Sequence, residues 1–259
     1  MMATRMSTTA GGMRGRLRPL ALGLLVLASV AGGSGALEAA AAGQPVAIPT
    51  CRGRAATIVG TNGDDVVTGT PGPDVIQTYG GNDRINGAGG DDLICAGPGN
   101  DTVNGSWGAD LIYGEDGNDV LRGDEDDDTL YGGAGIDNLF GDAGSDHLFG
   151  DDDLDVMRGG DDDDAMWGGD GDDIMFGGEG ADNLTAGPGN DYAYGGPGED
   201  ATYAGTGNDE IFDDEGAWNI MACDSGTDHG GGVGYFDFGM SNVFYNCEWE
   251  IDAPTYLPY

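Results

Sequence analysis

Lysine is absent from this 259-residue chain, and nine arginines and two histidines face 47 Asp and Glu residues, for a formal net charge of −38. Nucleic acid is excluded as a partner, because phosphate-backbone binding rests on Lys and Arg. His147 and His229 are isolated, and neither an HExxH zinc motif nor a GxSxG nucleophile elbow occurs, so the chain is read as non-catalytic. The longest apolar run, Leu20 to Ala31, is about twelve residues against the roughly twenty that cross a bilayer, which argues against a membrane span. There are four cysteines and no CxxC spacing, which disfavours a zinc site.

The short apolar run has another meaning. Arg5, Arg14, Arg16 and Arg18 precede it and small residues 39–42 follow it, the pattern of a secretory signal peptide over 1–42. The expectation is a secreted, extracellular protein in which disulfides persist. Of the three possible pairings, the simplest joins Cys51 with Cys95 and Cys223 with Cys247, one bridge near each terminus.

What the chain has in abundance is periodic aspartate. Asp65, Asp74, Asp83, Asp92, Asp101, Asp110, Asp119, Asp128, Asp137, Asp146, Asp155, Asp164, Asp173, Asp182, Asp191, Asp200 and Asp209 fall at every ninth residue without a break. In that frame residues 60–212 are seventeen nine-residue units with Asp at position six. Gly fills position four in fourteen units and position one in thirteen, and Val, Ile, Leu or Met fills position eight in fifteen. Gly at one and four predicts positive φ angles there. The last three residues predict a short strand, with position eight inward and seven and nine outward. Two units make an eighteen-residue coil, and coils stacked at about 4.8 Å give a rod on the order of 40 Å long.

This pattern resembles the glycine-rich nonapeptide repeat of RTX, or hemolysin-type, calcium-binding proteins. The resemblance implies an all-β, right-handed parallel β-roll in which calcium lies between neighbouring coils. The implied ligands are the seventeen position-six carboxylates and loop carbonyl oxygens, an all-oxygen set that suits Ca²⁺. Turn chemistry alone would let Asn or Ser replace Asp at position six, and neither does. RTX repeats accompany proteases, lipases and epimerases beside a separate catalytic domain, and none fits here. Pore-forming members carry a long hydrophobic domain and acylated lysines, and this chain has neither.

Charge makes the metal necessary. Without residues 1–42 the chain holds 46 acids against five arginines, or −41, which opposes compaction. Nine odd-numbered and eight even-numbered loops enclose up to fifteen gaps, and fifteen Ca²⁺ would leave about −11. One inward aliphatic per nine residues is also a thin core, so folding is expected to depend on calcium.

Residues 43–59 are expected to form an N-terminal cap and 213–259 a C-terminal one. In the latter, Gly216 and Ile220 suit a degenerate unit with Trp218 in place of Asp, and 234–238 and 242–251 are strand-like. Position nine of the even units carries Tyr113, Tyr131, Phe149 and Trp167 in succession, either a stack that stabilises neighbouring strands or a stripe for a polysaccharide or surface-protein partner. The leading function is thus a secreted calcium-binding structural or binding module. The alternatives are an ice-binding or adhesive surface protein, or a non-catalytic accessory of an extracellular enzyme. Ice binding is disfavoured because Thr206 is the only Thr at position three.

Overall fold

The computed structural model describes residues 49–212, 220–222 and 243–245. The signal segment, Cys223, Cys247 and the run 234–238 lie outside the described residues. Every regular element among the described residues is a strand. Odd-numbered units contribute a nine-stranded sheet from Val66–Thr68 to Glu210–Phe212. Even-numbered units contribute an eleven-stranded sheet, extended by Ile58–Val59 at one end and by Ile220–Ala222 and Val243–Tyr245 at the other. Strands within each sheet are parallel and eighteen residues apart through the repeat, as in the series Leu121, Leu139, Met157 and Met175. The molecule is a β-solenoid.

Its core is a single column. The position-eight side chains of both sheets, from Val67 through Leu130 and Met166 to Ala193, form one continuous buried cluster. Most strands from Thr102 onward span six residues, such as Thr129–Ala134, where the sequence pattern predicts three. Each runs from position seven through position three of the next unit, because the position-one residue also faces inward and continues the ladder.

The backbone differs from expectation at the turn. Positive φ falls at positions two and four, not one and four. Fifteen of the seventeen position-two residues adopt it, including Tyr79, Ala88, Ser106, Glu115, Asp124, Asp142 and Asp151 at +72° to +84°. Position one is glycine for a different reason, close approach. A Cβ on Gly132 would lie 2.4 Å from Asp137 Oδ2 and 2.8 Å from the Gly150 carbonyl oxygen.

Both ends depart from the repeat. Thr50–Cys51 pairs antiparallel with Arg54–Ala55, and Cys51 and Ala56 pack with Val75, Leu93 and Cys95, so this hairpin lies on the outer face of the even sheet. At the other end Ile220 pairs with Ala201 and Met221 with Thr202. One residue has been inserted relative to the eighteen-residue coil, so Met221, not Ile220, holds the position-eight register.

Candidate metal centre

All seventeen position-six aspartates are buried, none more than 7% exposed. Their carboxylates run as two ladders along the two edges of the roll. From Asp83 to Asp209, Oδ1 of each accepts the backbone N–H of the Asp one coil earlier, as in Asp119 to Asp137 at 2.7 Å and Asp137 to Asp155 at 2.8 Å. The second oxygen is different. From Asp83 to Asp191 every Oδ2 is buried with no hydrogen-bond partner. A buried anionic oxygen without a donor carries its full desolvation cost, and a repeated row of them points to a ligand.

Where glycine precedes an orphaned oxygen at position one, the niche beside it is lined by oxygen in most units. The space that a Cβ on Gly159 would fill is 2.0 Å from Asp164 Oδ2 and 2.6 Å from the Gly177 carbonyl, and Gly141 and Gly177 repeat the arrangement. Glycine at position one keeps this niche open between a carboxylate and the carbonyl of the next coil. Among the described residues no three His, Cys, Asp or Glu side chains converge on one point. A cation held here therefore draws largely on backbone carbonyls, a donor set that suits Ca²⁺.

Burial raises many of the later aspartates well above the ordinary Asp value. Asp128, Asp155 and Asp164 are pushed up to about 8. Asp101, Asp110 and Asp146 rise to about 7, and Asp137 and Asp182 to about 6. Desolvation is the largest cause. The N–H bond from the preceding coil pulls the other way, and neighbouring carboxylates add to the rise.

Residues 59–211 are matched, in five segments, by the family model described as the RTX calcium-binding nonapeptide repeat. The chain belongs to this family. The segments are 59–94, 89–121, 122–157, 149–184 and 176–211, and they cover the whole stretch over which Asp keeps its phase. No curated protein matches the chain.

Two features of this RTX roll escape the nonapeptide pattern. Asp65 and Asp74 differ from the later aspartates. Asp65 Oδ2 accepts the N–H of Thr61, and Asp74 Oδ2 accepts the N–H and hydroxyl of Thr70, at 2.7 and 2.9 Å. There is also a second side-chain ladder at position five. Asn82 N–H donates to Asp64, Asn100 N–H to Asn82 and Asn118 N–H to Asn100, at 2.8 to 3.1 Å, and the run stops after Ile136, which has no acceptor. Here the earlier coil accepts and the later one donates, the reverse of position six. The signal was present as Asp64, Asn82, Asn100 and Asn118, spaced by eighteen rather than nine.

Cys51 and Cys95 form a disulfide, with Cα atoms 5.7 Å apart. The even-sheet aromatics stack face to face, with centroids at 4.8 Å for Tyr113 and Tyr131, 4.6 Å for Tyr131 and Phe149, and 4.5 Å for Phe149 and Trp167, all within 8° of parallel. The Arg52 guanidinium covers the Tyr113 end at 4.0 Å. His147 is exposed and parallel to Trp167 at 6.1 Å.

Proposed function

We propose that this chain is a secreted, non-catalytic calcium-binding module whose roll folds when calcium neutralises the two carboxylate ladders. The supporting observation is the row of buried, unsatisfied Oδ2 atoms, most of them in units where a position-one glycine lets the carboxylate approach the carbonyl oxygen of the next coil. The position-six Oδ2 atoms and the position-one carbonyls are the groups that would hold the metal. Bound calcium supplies positive charge that offsets both their desolvation and the excess of acid. Secretion rests on the basic and apolar N-terminal segment.

The aromatic row fits sheet stabilisation better than a partner stripe. The Tyr113, Tyr131 and Phe149 ring faces lie against one another, against Trp167 and against Arg52, which leaves them closed to a sugar ring.

Circular dichroism tests the calcium reading. In excess chelator at pH 8 the spectrum should be largely coil, becoming strand-rich on addition of Ca²⁺. Mg²⁺ should substitute poorly because it demands six ligands in near-octahedral order. A fully strand-rich spectrum in chelator would overturn calcium-dependent folding.

A further inference from the structure

We propose that the residue at position two decides whether a unit holds calcium, and that Thr61 and Thr70 make the first two units a metal-free seed for the roll. The proposal rests on the reading that calcium binds at the position-six carboxylates, and refines which of them take part.

Position two is in the left-handed region in units three to seventeen and outside it only at Thr61 and Thr70. These are also the only β-branched residues at that position. A β-branched side chain resists positive φ more than Gly, Asp, Ser or Ala does. With positive φ at position two, the N–H there points along the sheet, as when Gly97 donates to the Gly114 carbonyl at 3.1 Å and Gly178 to Gly195 at 2.9 Å. The local carboxylate is then left with a bare oxygen. Without positive φ, the N–H of Thr61 or Thr70 turns to the Asp of its own unit.

The threonine hydroxyls complete the alternative turn. Thr61 Oγ1 donates to the Gly63 carbonyl and accepts the Gly63 N–H, and Thr70 Oγ1 donates to the Gly72 carbonyl and to Asp74 Oδ2. Asp74 Oδ1 accepts the Thr57 hydroxyl at 2.9 Å, and that hydroxyl accepts the N–H of Val75. Both oxygens of Asp74 are therefore engaged within the protein. The same end of the roll carries the Cys51–Cys95 bridge and a second apolar cluster of Cys51, Ala56, Val75, Leu93 and Cys95. The covalent bridge, the second apolar cluster and the threonine-closed turns are thus gathered over the first four units.

Two consequences follow. Removing units one and two from the binding set leaves eight odd and seven even loops, which enclose thirteen gaps instead of fifteen. The seed also presents the next coil with ordered strands in correct register before any ion is bound.

Hydrogen exchange and native mass spectrometry on the full chain, with its disulfide intact, test this. In excess chelator, amides of residues 57–77 should stay protected while those of 102–212 exchange freely. Uniform exchange along the roll, fast or slow, would overturn the seed. Uniformly slow exchange would overturn calcium-dependent folding with it, whereas uniformly fast exchange would overturn the seed alone, so the two failures are distinguishable. In saturating Ca²⁺, Asp74→Asn should leave the number of bound ions unchanged and weaken seed protection in chelator, whereas Asp137→Asn should lower the number by at least one. The double variant Thr61→Gly with Thr70→Gly should gain up to two ions and lose seed protection. An Asp74→Asn variant that loses ions as Asp137→Asn does, or a double glycine variant with an unchanged count, would refute the role of position two.

Discussion

A single aspartate in this roll serves three partners at once. Asp137 accepts the N–H of Asp119 through Oδ1, donates its own N–H to Asp155, and aims Oδ2 at the niche kept open by Gly132. Gly132→Ala should therefore lower calcium affinity, by about tenfold for a site lost to crowding of one carboxylate and one carbonyl, or about 1.4 kcal/mol. Isothermal titration calorimetry reads this directly, and an unchanged affinity would mean that the niche is not used. The raised carboxyl pKa values give a second expectation. A group protonated more readily in the folded state stabilises that state below its unfolded pKa, near 3.8, and loses the contribution as pH rises through its folded value. For Asp137 at about 6 and Asp128 at about 8, the metal-free roll should gain strand content on acidification from pH 8 to 4. Calcium competes with those protons, so its affinity should fall over the same window. In circular dichroism the chelator curve should rise toward the strand-rich calcium curve as pH falls, the two differing most at pH 8 and converging toward pH 4.

At the scale of the strand, each element carries one buried aliphatic and little else, so lateral contacts matter. The ladder from Tyr113 to Trp167 comprises three ring contacts. At about 0.2 to 1 kcal/mol per cross-strand pair, changing Tyr131, Phe149 and Trp167 together to Thr should cost roughly 0.6 to 3 kcal/mol. Thermal melting of the calcium-loaded protein checks this, and an unchanged midpoint would reopen the partner reading of that face. On the opposite sheet Arg122 covers Phe140 and Arg158 covers Phe176, at 4.8 and 5.0 Å. There the guanidinium does the work of a ring. The Cys51–Cys95 bridge closes 44 residues and is worth about 4 kcal/mol on the loop-entropy relation, so its loss should be felt most at the N-terminal coils.

The whole molecule is quasi-one-dimensional: each coil touches the coils before and after it, and stability is close to a sum of unit and interface contributions. Removing residues 123–140, one full coil, should preserve both sheets and both edges. Removing 123–131 alone would move every later unit to the other sheet, separating Tyr113 from the Phe149 and Trp167 stack. The nine-residue deletion should therefore melt well below the eighteen-residue one in calcium, although it removes half as much chain. Similar midpoints would show that the two faces are interchangeable.

Period and chemistry were legible in the chain itself. Asp at every ninth residue fixed the frame, the aliphatic at position eight named the core, and the parity of the units assigned each outward side chain to a sheet, because these depend only on which way successive residues face. The turn was not legible. Gly at position one looked like a positive-φ residue, but it is there because Asp137 Oδ2 and the Gly150 carbonyl leave no room for a Cβ. Positive φ instead falls at position two, which is Gly in only eight of the seventeen units, since Asp, Ser and Ala can be held left-handed once the coil on each side pins the strand. That Thr61 and Thr70 turn their N–H groups to Asp65 and Asp74, and that a hairpin 44 residues away covers Cys95 on the outer face, depended on contacts between coils and between a terminus and a sheet. A nine-residue period describes what each unit has in common, and the tertiary structure alone decided where units with the same Asp are made to differ.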